Sequence, residues 1–200
     1  MLIPFLTGGI SAEYGRFGGG MVNAVTKSGG NTFSGSYRQS FNNDNWRTLT
    51  PFGADTKLDK LIPTYEYTLG GPVLRDQLWF FTAGRLQSQE DARATVGTLE
   101  SYNRISDEKR FEGKLTYSLG NAQTVRGSYM KILQQITNQN FQNPLDLRSL
   151  YNQGQPQDLL SLNYNGIIGN ALSIEGQYSS RHFSITGAGA PGTDLVAGTL

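Results

Sequence analysis

The sequence holds no cysteine, a single histidine (His182) and almost no excess of either charge. Without cysteine there are no disulfides and no thiolate metal ligands, although thiol avoidance does not separate a reducing cytosol from a cell envelope. The formal charge of +1 comes from 17 basic and 16 acidic residues spread along the chain. No basic field exists to draw in a phosphate backbone, so nucleic acid is not expected as a partner. Missing too is any apolar run approaching the roughly 20 residues that a membrane-spanning helix requires. Catalytic patterns are equally scarce. There is no Gly-x-Ser-x-Gly elbow, and no cluster of Asp, Glu and His has metal-ligand spacing. Gly18-Gly19-Gly20 lacks the Lys-Ser/Thr of a phosphate loop, and Asn23 stands where a dinucleotide fingerprint needs its third glycine. Those glycines read as backbone packing. Asp107 and Glu108 beside Lys109 and Arg110 read as a solvated strand face rather than an acid-base set. The chain is therefore expected not to be an enzyme, with no catalytic residue, cofactor or metal.

What is abundant points to β-structure. Glycine accounts for 25 of 200 residues, against a usual share of about 7%. Tyrosine and phenylalanine supply ten each, and aromatic residues with glycine favour strands and turns over helix. The clearest strand is Arg110 to Leu119. There Phe111, Gly113, Leu115, Tyr117 and Leu119 alternate with Arg110, Glu112, Lys114, Thr116 and Ser118, giving one apolar and one polar face. The alternation resumes after Gly120-Asn121-Ala122 with Val125, Gly127 and Tyr129, which makes a hairpin. Leu160, Leu162, Tyr164 and Gly166 lead through Gly169-Asn170 into Leu172, Ile174 and Tyr178 in the same way. Upstream, Tyr65, Tyr67 and Leu69 lead through Arg75-Asp76-Gln77 into Leu78-Trp79-Phe80-Phe81. Phe33, Gly35, Tyr37 and Phe41 supply the earliest of these strands.

Seven strands follow, joined by unequal connections. Those at 75–77, 120–122 and 169–170 are tight turns. Those at 42–62, 88–108 and 133–156 read as polar loops of some twenty residues, far above the usual hairpin length. Short turns on one side and long loops on the other are how an outer-membrane barrel is strung. A soluble β-sandwich shares the alternation but has no reason to sort its loops. The polar faces also carry Arg38, Glu66, Glu112, Lys114, Arg126 and Glu175, as a wetted lumen allows. Trp79, near a strand end, fits the interfacial aromatic girdle of such a barrel, and His182 fits its rim.

Residues 8–36 hold the most specific pattern: Ser-Ala-Glu-Tyr-Gly-Arg at 11–16, a glycine run at 18–20, Val22-Asn23, and Val-Thr-Lys-Ser-Gly-Gly-Asn at 25–31. A short strand is expected at Met21 to Thr26, with Gly29-Gly30-Asn31 turning into the first long strand. This segment resembles the junction between plug and barrel in TonB-dependent outer-membrane transporters, and in particular the Oar-like group. Leu69-Gly-Gly-Pro-Val-Leu-Arg-Asp-Gln-Leu-Trp-Phe-Phe81 is similar to that group's second hairpin. The resemblance covers most of residues 8–87.

It implies an all-β chain: residues 1–30 as the C-terminal end of a plug domain, and residues 31–200 as the first part of a transmembrane β-barrel. The family's closed barrel has roughly 22 strands, so seven amount to an incomplete, partial barrel and the chain to a fragment. The opening Met1 to Phe5 does not read as a signal peptide, and a leader is expected to lie elsewhere in the whole protein. The resemblance further implies residence in the outer membrane of a Gram-negative cell, contact with its lipid, and energy-coupled uptake of a solute. Contact with the TonB complex would come through parts of the protein missing from this chain. A passive porin or adhesin-type barrel, or a soluble β-sandwich binding module, are the alternatives. As site residues, Glu13 and Arg16 either make an ionic plug-to-barrel contact or play a plain surface role. Trp46, in a long polar loop, either touches a ligand or packs within the loop.

Overall fold

The computed structural model describes residues 5–6, 21–22, 27–48, 57–120, 122–140, 146–169 and 172–187. Among them, strands and two single 3-10 turns account for all regular structure. A two-stranded sheet pairs β1 (Phe5–Leu6) with β2 (Met21–Val22) in antiparallel fashion. β2 occupies the start of the strand expected at 21–26, whose remainder lies outside the described residues.

The main sheet has seven antiparallel strands in simple sequence order. They are β3 (Ser34–Asn42), β4 (Ile62–Leu74), β5 (Leu78–Ala94), β6 (Ser101–Leu119), β7 (Gln123–Gln139), β8 (Tyr151–Ile168) and β9 (Leu172–Phe183). The sheet is open, with β3 and β9 as its edges. It is an all-β, partial-barrel arrangement in which every neighbour follows its partner through a hairpin.

The short connections fall at one end of the sheet and the longer ones at the other, and local chemistry sets the short ones. The β4–β5 turn has Asp76 at φ 62° and a bond from Gln77 N–H to Leu74 C=O of 3.2 Å. A register shift between Pro72 and Leu74 lets a proline, which has no N–H to give the ladder, sit inside this hairpin. Gly120 (φ 69°) and Gly169 (φ 61°) supply the left-handed backbone that the next two turns need.

Two of the expected loops are much shorter than the sequence suggests. β5 continues to Ala94 and β6 begins at Ser101, so residues 95–100 alone form the connection expected at 88–108. Likewise β7 runs to Gln139 and β8 starts at Tyr151, in place of a loop over 133–156. The reason is that these strand ends are polar on both faces, so no alternation marks them. Pairing nevertheless continues rung by rung from Gln87↔Glu108 to Ala94↔Ser101. Side chains brace these ends: Lys60 Nζ reaches Glu90 at 2.5 Å, and Asn103 Nδ2 donates to the same carboxylate at 3.0 Å. Farther along the same end, Asp146 caps a 3-10 turn by accepting from Arg148 N–H at 2.8 Å. The Arg148 side-chain bond holds the Asp146 carboxyl below its usual range.

The register assigns each strand's alternate residues to two faces of opposite character. Tyr67, Gly84, Phe111, Lys131 and Asp158 share one row, and Tyr117, Val125, Tyr164 and Gly176 another. On β6 this face is apolar from the turn end of the strand up to Phe111. The span from Leu119 to Phe111 is about 26 Å along the strand. Lys131 and Asp158 stand in the Phe111 row itself on β7 and β8, and Lys109 lies one row beyond it on β6. Aromatic rings on this face lie over neighbouring glycines. A Cβ on Gly84 would meet the Tyr67 ring at 2.2 Å, and one on Gly71 the Phe33 ring at 2.3 Å.

Burial runs opposite to that of a soluble domain. Among the described residues the buried apolar side chains are Phe81, Tyr102, Ile132 and Ile136, whereas Leu115 is 53% exposed, Tyr178 58% and Leu162 45%. The sheet thus exposes many large apolar side chains, whereas soluble monomers rarely expose apolar patches above a few hundred Å².

Candidate functional site: the polar face and its strap

The other face carries the charges read from the sequence. Arg38, Glu66, Glu112, Lys114, Arg126 and Glu175 all lie on it by register. Arg85, Arg110, Arg104, Glu108 and Asp91 join them. The apparent acid-base run at 107–110 is divided between the faces: Asp107 and Lys109 point one way, Glu108 and Arg110 the other. Most carboxylates on this face meet an arginine. Glu66 accepts from Arg38 Nε at 2.6 Å, and Glu108 lies 3.2 Å from Arg110. Asp91 lies 4.0 Å from Arg104.

Residues 27–33 cross this polar face before entering β3. Lys114 Nζ donates to the Lys27 carbonyl at 3.0 Å, which holds the segment to β6. Gly29 then packs on β4 and β5 so closely that a Cβ there would lie 2.1 Å from Phe80 O and 3.1 Å from Gly71 O. Gly30 has nothing within 4 Å of such a Cβ. Asn31 closes the strap onto the β4–β5 turn with three bonds. Its Oδ1 accepts from Asp76 N–H at 3.0 Å and from Trp79 Nε1 at 2.7 Å, and its Nδ2 donates to Asp76 Oδ1 at 2.6 Å. The pattern Lys-Ser-Gly-x-Asn thereby acquires a physical meaning. The glycine is a close approach, the next position is free, and the asparagine is a latch.

Trp79 corrects an expectation. It does not belong to an outward aromatic girdle: its register partner is Thr116 on the polar face, and its indole N–H is bonded to Asn31. In the unbroken apolar run Leu78–Phe81 nothing in the sequence marks which residues turn inward. His182 faces outward on β9 opposite Asp158, at the strand end away from the turns, in keeping with a rim position.

Trp46 ends a 3-10 turn (Asp44–Trp46) capped by Asn43, whose side chain accepts from Asn45 N–H at 2.8 Å. Bonds from Asn43 to Asp59 (3.0 Å) and from Lys57 to the Arg47 carbonyl (2.6 Å) join the two arms of this connection. Trp46 is 67% exposed, and residues 49–56 of this connection lie outside the described residues. Glu13 and Arg16 lie outside the described residues, and their suggested contact is not placed. Residues the sequence reading passed over are Arg85 and the Asp76–Trp79 half of the latch. The signal for Arg85 was its even spacing from Phe81, visible only once the strand is extended past that aromatic run.

Comparison with known proteins gives one informative match. The chain is 36% identical to the TonB-dependent transporter Oar of Myxococcus xanthus over 91 residues, which is 40% of this chain and 8% of that protein. The likeness therefore concerns a small part of a much longer relative. No family model and no solved structure matches the chain.

Proposed function

We propose that this chain is a segment of a TonB-dependent outer-membrane transporter, with residues 1–30 as the end of the plug and residues 31–200 as the first part of the barrel wall. The observation that carries the reading is the division of one sheet into an apolar face and a charged face, with the Lys27–Asn31 strap on the charged side. In this reading the apolar face meets outer-membrane lipid and the charged face lines the lumen. The strap is the place where the chain leaves the lumen to enter the wall. A porin-type barrel would share the two faces, and the strap together with the likeness to Oar favours the transporter.

The whole protein, embedded in a Gram-negative outer membrane, would take up a scarce solute, with energy passed through TonB and a shifting plug. Contact with TonB is assigned to other parts of that protein. Trp46, projecting from the long connection, is available to a ligand on the outer side.

The test is a lipid-restricted spin label or quencher read at positions 115 and 116 of the full-length protein. Contact with acyl chains at 115 and not at 116 is expected, because Leu115 shares the apolar face and Thr116 the polar one. A label at 115 that is shielded from lipid would refute the reading, since that face would then pack against protein.

A further inference from the structure

One row of the polar face carries charges that do not cancel. Across the register, Arg38, Glu66, Arg85 and Arg110 stand side by side on β3, β4, β5 and β6. Glu66 is shared by two guanidiniums, bonded to Arg38 and 3.7 Å from Arg85 Nε. Arg110 turns to Glu108 instead. Arg85 and Arg110 are thus directly opposite on one face, a like-charge pair of the kind that destabilises a sheet. Arg85 Nε is also buried without a hydrogen bond, because 3.7 Å is beyond reach of one. Toward the short turns the next row shrinks to Ser36, Thr68 and Ala83, so the arginines border a hollow of about 520 Å³. Glu112 borders it as well. With Glu108 counted as the partner of Arg110, three guanidiniums face three carboxylates, so it is the placement of Arg85 beside Arg110 and not an excess of charge that marks the hollow.

We propose that this hollow is a carboxylate-binding subsite in which Arg85 and Arg110 together hold one carboxylate group borne by the admitted solute. The proposal rests on the transporter reading. A guanidinium fork matches a carboxylate in two parallel bonds. A carboxylate between the two arginines supplies the acceptor that Arg85 Nε lacks and offsets their mutual repulsion. Glu66 meets Arg38 through Oε2, and its Oε1 stays 3.7 Å from Arg85 Nε, too far for a hydrogen bond. Position points to a solute: the strap is held at Lys114, two rows nearer the short turns, so the hollow lies on the side of the longer connections.

The test uses the full-length protein in detergent and phenylglyoxal, an arginine-selective reagent, with mass spectrometry to time modification of Arg85 and Arg110. Arg181, on the polar face of β9 and outside the hollow, is the internal reference. Glutarate is the carboxylate probe and glutaramide its neutral control. Glutarate at about four times its dissociation constant should slow both arginines on the order of fivefold, the factor one plus the ratio of ligand to Kd. It should leave Arg181 unchanged, and glutaramide should have no effect. Arg110→Gln, which removes a like-charge neighbour, should abolish the protection of Arg85. Modification that glutarate does not slow overturns the proposal, whether it is fast or is slow because the hollow is filled from within the protein. So does equal protection at Arg181. The lipid-contact measurement at 115 and 116 judges the barrel reading separately, so the two failures are distinguishable.

Discussion

Two adjacent glycines in the strap should respond in opposite ways to the same methyl group. At Gly29 an alanine Cβ would lie 2.1 Å from Phe80 O and 2.9 Å from Phe80 C, both backbone atoms of a strand paired on two sides. Neither can move aside as a side-chain tip would, so the strap itself must lift. Overpacking commonly costs 1–3 kcal/mol, and a clash with immobile backbone belongs at the upper end, about 3 kcal/mol. At Gly30 the methyl meets nothing within 4 Å, and the backbone is not in the left-handed region. Gly30→Ala should then be neutral, or stabilising by less than about 1 kcal/mol, through the smaller entropy of the unfolded chain. The reporter is the Asp76 amide, which donates to the Asn31 side chain and is exposed when the strap lifts. Hydrogen exchange of the full-length protein should show that amide speeding up by about two orders of magnitude in Gly29→Ala, since each 1.4 kcal/mol is tenfold. Gly30→Ala should leave it unchanged. Equal exchange in the two variants would refute the close approach as the reason for the glycine.

Asn31→Ala removes three bonds whose freed partners can reach water, so the loss should be about 1–2 kcal/mol. It should be read as faster exchange at Asp76 and as a change in Trp79 fluorescence. No change at either would mean that the latch contributes nothing. Leu99 has φ 56° and is 75% exposed at the tip between β5 and β6, so Leu99→Asn relieves left-handed strain and forfeits little packing. A gain of about 1 kcal/mol is expected. Its measure is slower exchange of the Thr95 amide, which bonds to Glu100 C=O across that tip. Faster exchange there would show that the Leu99 side chain holds the tip.

Strands were legible wherever one face is apolar and the other polar. From Arg110 to Leu119 the sequence alternates without a break, and β6 and β7 pair there as that pattern requires. Tight turns were equally legible, because Gly120, Gly169 and Asp76 are residue types that accept the left-handed backbone these positions adopt. Strand length was not. Past Phe111 on β6 and Leu86 on β5, polar side chains stand on both faces, and the alternation disappears while the backbone ladder continues to Ala94↔Ser101. Polar sequence therefore looked like loop where the chain is a paired ribbon.

The site was legible in its charges and illegible in its contacts, for a reason that lies in register. Charged residues at even positions of β6 announce a polar face, but which strand sets an arginine beside another arginine depends on pairing across turns and on a bulge. The shift between Pro72 and Leu74 moves every rung of β4 against β5 beyond it, and with that offset Glu66 meets Arg85 and Gly84 meets Tyr67. A slip of one residue would carry Arg85 to the apolar face and Leu86 to the polar one. Trp79 was misplaced for the same cause, since a run of four apolar residues has no phase of its own and takes it from Thr116 opposite. The strap carries a further dependence. Gly29 and Asn31 are recognisable as a motif, yet their partners Phe80, Asp76 and Trp79 lie some fifty residues away, and only the turn that brings them together gives the motif its fixed and its free positions.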